Sequence, residues 1–392
     1  MKDFFLTITL LFTLNYSFGQ WKKIGFNGLE VRALEVKNDS LIAGEKTLKY
    51  TVDNGNSWRP LIEKDFISDF LAIEVYKNYI WAASGDDKIQ FSENGGSTWI
   101  ELSLPPKTAD YDFLCASSLM FLNNNLYIAA TCNGVLKWNL ANRKWLVNND
   151  GLSTKNMRSL THSKGKILAG GAFGALGIRD TSEGRWTSTH VGKNGGYILD
   201  MDAAGDTIFA AAHFSGMMVS KDGGTTWSGN EINSTPWFSS VFFYKNILFA
   251  GSREGIFFSN NLGENWTPFT TGLSDSTVYE IKAIRDTLFV GTADGVWARP
   301  FQEIEVLLYS EIDFAAQSIS FYPNPASTNL SVSLTDDRKA WLDISDLNGR
   351  RVIQTKVSNQ ETISIEAIPP GIYLLKIRTE ANTVYSKLEI RR

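Results

Sequence analysis

The 392-residue chain holds few of the side chains that metal, nucleophilic or redox chemistry requires. Its three histidines, His162, His190 and His213, fall in separate stretches, and its two cysteines are Cys115 and Cys132. Neither set has zinc-site spacing, and the Asp-Asp pairs lack the spacing of a calcium loop. Gly170-Gly-Ala-Phe-Gly174 is glycine-rich but no helical pattern follows it, so it reads as a turn and not a phosphate cradle. No metal and no cofactor is expected. Lys and Arg number 38 against 42 Asp and Glu, and a net charge of −4 leaves no basic field for nucleic acid. What remains is a set of polar and aromatic residues in turn-rich stretches: Asp86, Asp87, Asp110, Tyr197, His213, Trp237, Arg253, Glu254 and Asp294. Two carboxylates about 5–10 Å apart would permit glycoside hydrolysis. Aromatic rings beside hydrogen-bonding groups suit a glycan or protein held without turnover. No spacing singles out a carboxylate pair, so binding is the leading expectation and a glycoside hydrolase the alternative.

These residues must be positioned by the strands between them, and the strands repeat. Leu41-Ile-Ala-Gly44, Ile80-Trp-Ala-Ala83, Tyr127-Ile-Ala-Ala130, Ile167-Leu-Ala-Gly170, Ile208-Phe-Ala-Ala211, Leu248-Phe-Ala-Gly251 and Leu288-Phe-Val-Gly291 share an apolar-apolar-small-small pattern. Their second residues are separated by 39, 47, 40, 41, 40 and 40 positions. Seven units at that period predict an all-β, seven-bladed β-propeller of four-stranded blades. Trp58, Trp99, Trp145, Trp186, Trp227 and Trp266 keep the same time. The clearest of them end the turns Ser220-Lys-Asp-Gly-Gly-Thr-Thr-Trp227, Ser92-Glu-Asn-Gly-Gly-Ser-Thr-Trp99 and Val52-Asp-Asn-Gly-Asn-Ser-Trp58. In such a turn Asp222 accepts backbone N–H bonds, glycine supplies positive φ, and the Trp is expected to be a buried anchor of the following strand. These turns resemble the Asp-boxes of propellers similar to sialidases, sortilin ectodomains and photosystem II assembly factors. The sialidase likeness implies an Arg-Ile-Pro and an arginine triad, neither of which this chain has; the assembly-factor likeness implies a protein scaffold as a second alternative.

The last repeat lacks a fourth strand, and Trp21-Lys-Lys-Ile24 is expected to supply it, closing the ring from residue 20 to 299. The candidate residues then lie on loops before the innermost strands or after the apolar-small strands, around one mouth of the channel. In the third repeat a turn at Asn123-Asn-Asn125 would set Leu122 opposite Leu126, placing Cys115 within one step of Cys132. A Cys115–Cys132 disulfide is therefore a candidate in an exported chain.

Both ends of the chain read as addresses. Lys2, the apolar run Phe4–Leu14 and the small residues Ser17 and Gly19 form a signal peptide over 1–19, cleaved between Gly19 and Gln20. No other stretch is apolar for long enough to cross a membrane as a helix. At the other end, residues 318–392 show six short alternating strands, enough for a small Ig-like β-sandwich after a linker at 300–317. Tyr322-Pro323-Asn324-Pro325, then Asp346-Leu-Asn-Gly349-Arg-Arg-Val352, then Pro370-Gly371-Ile-Tyr373 and a basic last strand resemble the type A sorting domain of type IX secretion. That resemblance implies the type IX machinery as partner and a secreted or cell-surface destination. The signal segment is neutral, and residues 317–392 carry ten basic and eight acidic groups, leaving about −6 between them. A monomeric, exported binding or adhesion protein for glycan or protein is the resulting expectation.

Overall fold

Strands that run through a core with both faces covered must be apolar at consecutive positions, and the second strand of each repeat is. Leu126–Ala130, Ile208–Ala211 and Leu248–Ala250 are all buried. Side chains alternate between the faces of a strand, so such a run needs a neighbour on each side. The small fourth residue faces the next repeat: a Cβ on Gly251 would stand 2.7 Å from Val278 Cγ1.

The computed structural model describes residues 20–392 except 64–65, 103–115, 148, 183, 193–195, 230–236, 275–276, 302, 305–318, 335–338, 347–349 and 379–382. Gly19, Asp110, Cys115 and Gly349 lie outside the described residues. Two compact units result, one spanning Trp21–Arg299 and the other the C-terminal part from Pro300. Among the described residues the first unit contains seven four-stranded antiparallel sheets. Their innermost strands are Ala33–Lys37, Phe70–Tyr76, Ala116–Leu122, Met157–Ser163, Ile198–Ala204, Phe238–Tyr244 and Val278–Ile284. Each touches the next and the seventh touches the first, so the sheets are the blades of a closed propeller. The outer strand of blade 7 is Lys22–Gly25, antiparallel to Gly295–Pro300. Trp21, 3 % exposed, donates its indole N–H to the Phe269 carbonyl of blade 6.

The repeating tryptophans work between blades and not within them. Trp58 packs into the core shared by blades 7 and 1 and donates to the Ile24 carbonyl at 2.7 Å. Trp99, Trp145, Trp186, Trp227 and Trp266 enter the cores shared by blades 1 and 2, 2 and 3, 3 and 4, 4 and 5, and 5 and 6. Trp21 serves the seam between blades 6 and 7, edge-on to Phe269. The expected fully buried anchor is correct for Trp186 and Trp21, but the other five are partly buried. A wedge at an outer seam keeps one ring edge in solvent. The turns that carry them are held by their acidic or amide side chain: Asp222 accepts from Thr226 N (2.8 Å), Thr225 N (3.0 Å) and Ser220 Oγ (2.8 Å). The Thr226 hydroxyl, which also donates to Asp222 at 2.5 Å, and then those bonds hold the Asp222 carboxyl down at about 2.

One register differs from expectation. Asn123 and Asn124 both take positive φ, 50° and 58°, so the turn has two residues and Leu122 pairs with Asn125, not Leu126. A further residue is lost from register at Ser117, where the ladder bulges. The same bulge stands at the second residue of the innermost strand in blades 2 to 7. Cys132 is exposed, with Sγ 3.9 Å from Thr131 Oγ1.

The C-terminal unit has one sheet of Ile319–Tyr322, Asn329–Leu334 and Glu361–Ser364 and another of Arg351–Val357, Ala340–Asp346, Gly371–Arg378 and Thr383–Ile390. Leu330, Val332, Leu342, Ile344 and Leu375 from both sheets share one core. The motif residues tie its ends together. Asn324 Oδ1 accepts from Glu389 N at 2.8 Å, Ala326 N donates to Glu389 O at 2.7 Å, and Tyr373 Oη donates to Pro369 O at 2.8 Å. Tyr322 is exposed and Pro323 and Pro325 follow cis peptide bonds, while Pro370 precedes the strand that Gly371 opens.

Because the ring closes through residues 21–25, deleting residues 20–26 should destabilise all seven blades together. Loss of Trp21 burial and one strand predicts a fall in thermal midpoint of roughly 10 °C. An unchanged midpoint in circular dichroism melts would show that the ring does not depend on this strand.

Candidate functional site

The loops before the innermost strands and those after the second strands lie on one face, because they bond to each other. Gly85 N donates to Asp69 O, Ala172 N to Asn156 O, His213 N to Tyr197 O and Ala293 N to Thr277 O. The same loops also link neighbours: Gly174 N of blade 4 donates to Gly196 O before blade 5.

On this face the structure gathers Tyr197, His213 and Trp237, together with Phe214. The His213 ring stacks on Phe214 at 4.0 Å and on Tyr197 at 6.4 Å, and Trp237 stands edge-on to His213 at 5.0 Å and to Phe214 at 5.3 Å. The rings are close because Gly196 lets them be: a Cβ there would fall 1.5 Å from His213 O and 3.3 Å from Phe214 Cδ2. Phe214 is 46 % exposed, Trp237 47 % and Phe173, at the corresponding tip of blade 4, 69 %. Phe173 and Phe214 occupy the left-handed region at φ 58° and 71°, where a bulky residue is disfavoured. Neither gains burial in return.

Arg158 completes the cluster, and the loop-based sequence reasoning missed it. It is the bulged residue of the blade 4 innermost strand, and its guanidinium lies 4.3 Å from the Tyr197 ring centroid. Its Nε is buried with no hydrogen-bond partner. Burial, then the charges of Arg253 and Arg158, lowers the His213 pKa, so the imidazole is neutral at pH 7. Arg253 and Glu254 are exposed on the adjoining loop of blade 6, where Glu254 N donates to Ser252 Oγ at 2.9 Å.

The other candidate residues are dispersed and engaged locally. Asp86 accepts from Ser84 Oγ at 2.5 Å and faces Lys88 at 3.7 Å; Asp87 takes φ 64° in the same turn. Asp294 belongs to ring closure, holding Lys23, Ser274 Oγ and Gly28 N (2.9 Å). These three bonds hold its carboxyl at about 2. The ring of loop residues is therefore one aromatic-arginine cluster over blades 4 to 6 plus separate structural carboxylates.

A second titratable cluster sits on the innermost strands themselves. Lys282 Nζ is 3.1 Å from Glu35 and 3.5 Å from Glu280. Glu74 Oε1 accepts from Phe121 N at 2.9 Å, Asp200 Oδ2 from Val241 N at 2.9 Å, and Asp202 Oδ2 from Phe243 N at 2.7 Å. Each of these amides lies on the next blade's innermost strand, whose inner edge has no further strand to pair with. Burial, with Glu35 adding, pushes Glu74 up to about 8. Burial likewise raises Glu280 to about 8, against the pull of Lys282, and Asp200 to about 6. Burial alone would depress Lys282, but Glu35 and Glu280 carry it well above the ordinary lysine value. An alternating strand pattern with Glu or Asp at inward positions was the available signal.

Residues 320–391 match the secretion system C-terminal sorting domain family. The chain thus carries a type IX sorting tail and is a secreted or cell-surface protein. No helix among the described residues is long and apolar enough to cross a membrane. No curated protein matches the chain. Among solved structures it resembles YCF48 from Cyanidioschyzon merolae at 16 % identity and TM-score 0.58, covering 73 % of this chain and 99 % of that one. It also resembles the extracellular domain of the BT4673 system of B. thetaiotaomicron, at 14 % identity and TM-score 0.60, covering 95 % of this chain and 58 % of that one. PorZ, a surface component of the type-IX secretion system of Porphyromonas gingivalis, is similar at 14 % identity and TM-score 0.53, over 95 % of this chain and 61 % of that one. At these identities the likeness is one of fold, and it agrees with the propeller.

The buried carboxylates fix the sign of the pH dependence. Glu74 and Glu280 keep their protons up to about pH 8 in the fold but lose them near 4.5 when unfolded. The native state therefore binds more protons across that window, and stability falls as pH rises from about 4.5 to 8. Each fully protonated group contributes up to about 1.4 kcal/mol per pH unit. Denaturant midpoints should decline over this range, and Glu280→Gln or Glu74→Gln should flatten the slope; a flat wild-type profile would contradict the assignment.

Proposed function

We propose that residues 20–299 act as an exported, non-catalytic binding module for a glycan or protein ligand. Its delivery uses a signal peptide cleaved between Gly19 and Gln20 and the type IX route read by the sorting tail. The observation that carries this reading is the exposure of three large rings on this face, Phe173, Phe214 and Trp237, two of them on residues held at disfavoured φ. Backbone strain and exposed apolar surface both cost stability, and a ligand that covers the rings accounts for both.

The carboxylates favour binding over turnover. Asp86 and Asp294 are spent on their own turns and on ring closure. Glu35 and Glu280 both contact Lys282, at 3.1 and 3.5 Å, within the cluster carried by the innermost strands. A glycan array and a hydrolysis screen on the full chain test the reading together. Binding without release of reducing ends is expected, weakened about tenfold or more by Trp237→Ala. Turnover of any glycan, or ligand retention unaffected by Trp237→Ala, would overturn it.

A further inference from the structure

We infer that the Arg158–Tyr197–His213–Trp237 cluster is a subsite for a sugar ring bearing a carboxylate, that is, a uronate residue of an acidic polysaccharide. The inference rests on the binding reading above and specifies its ligand.

Two features of the cluster point the same way. The first is charge. Arg158 and Arg253 are the groups that act on His213, in a chain whose net charge is −4. The Arg158 Cζ stands 4.3 Å over the Tyr197 ring centroid, and its Nε is buried with no hydrogen-bond partner. A guanidinium held over an aromatic face can still offer N–H groups, in its own plane, to a planar carboxylate. Neutral His213 adds a donor and an acceptor without competing for the anion. Glu254 follows Arg253 in the chain and is exposed.

The second feature is the form of the surface. The exposed groups are flat rings fixed at right angles: His213 stacked on Phe214, with Trp237 edge-on to both at interplanar angles of 88° and 87°. Such a corner offers a face to one side of a pyranose and an edge to another. Three amides of these loops are already bonded within the face. His213 N bonds to Tyr197 O, Ser215 N to Ala212 O, and Gly174 N to Gly196 O. Those three amides are not available for main-chain pairing with an extended peptide. Ring stacking and a carboxylate fork remain.

The test uses the full chain and oligomers of polygalacturonate, with the fully methyl-esterified form and poly-glutamate as controls, read by tryptophan fluorescence and by calorimetry. The free acid should bind at least tenfold more tightly than either control. Arg158→Gln should weaken binding roughly 10- to 100-fold with an unchanged melting midpoint. Phe214→Gly should weaken binding while keeping or raising the midpoint, because glycine relieves the left-handed φ. Equal binding of the esterified polymer or of poly-glutamate, full affinity in Arg158→Gln, or no binding of polygalacturonate would each overturn the inference. If a neutral glycan binds instead, and Trp237→Ala abolishes it, the binding module stands and the uronate subsite falls.

Discussion

A ring of blades has no terminal blade to sacrifice, so every seam must close and the last one must close from a distance. Here that closure depends on four residues, Lys22–Gly25, pairing with a strand more than 270 positions away in sequence. Trp21 fills the seam between blades 6 and 7, Trp58 bonds back to Ile24 at the seam between blades 7 and 1, and Asp294 clamps Lys23. Without them the edge of Gly295–Pro300 would be open to other chains, and the wedge at each seam would have a loose neighbour. The angular position of every loop on the binding face follows from this closure, including those that bring Tyr197, His213 and Trp237 together from blades 5 and 6.

The channel imposes a second demand that the blades meet with charge. An innermost strand has an unpaired inner edge, and its amides need acceptors that no further strand provides. Glu74, Asp200 and Asp202 supply them from the preceding blade. At other seams a serine serves the carbonyls instead, as a donor: Ser117 Oγ donates to Met157 O at 3.2 Å, and Ser239 Oγ to Val278 O at 3.1 Å. Carboxylates in so small a space exceed the one lysine that faces them, so burial and mutual repulsion keep some protonated. The same acids that stitch the ring thus make its stability a function of pH.

The binding face shows the opposite economy. At Phe173 and Phe214 the chain places large rings where Asn or Gly would fit better, and leaves them in water. Local sequence preference and fold stability both disfavour this choice, and such disagreement is expected where a surface serves a ligand. The carboxylates of the face behave differently. Asp86 and Asp294 looked equally suited to chemistry as residue types, yet their partners are serines, lysines and a backbone amide of their own turn or seam. Residue type on a loop does not separate a ligand group from a turn group; only the partners do.

The propeller itself was legible because its signal is local and repeated. Seven apolar-small strands at a near-constant period declare seven blades, since a run buried on both faces needs a neighbour on each. The sorting tail was legible because its motif residues occur in order, and Asn324 and Tyr373 among them hold backbone groups of the unit. What sequence could not show was where side chains separated by about forty residues would meet. That the tryptophans wedge seams, that Arg158 joins Tyr197 through a bulge, and that five acids converge near Lys282 are consequences of register and blade packing. A one-residue bulge turns a side chain to another face without leaving a pattern to read. The sequence by itself determined the ring and its address, because periodicity and motif order are properties of the chain. The tertiary structure alone decided the site, because contacts between blades exist only once the ring has closed.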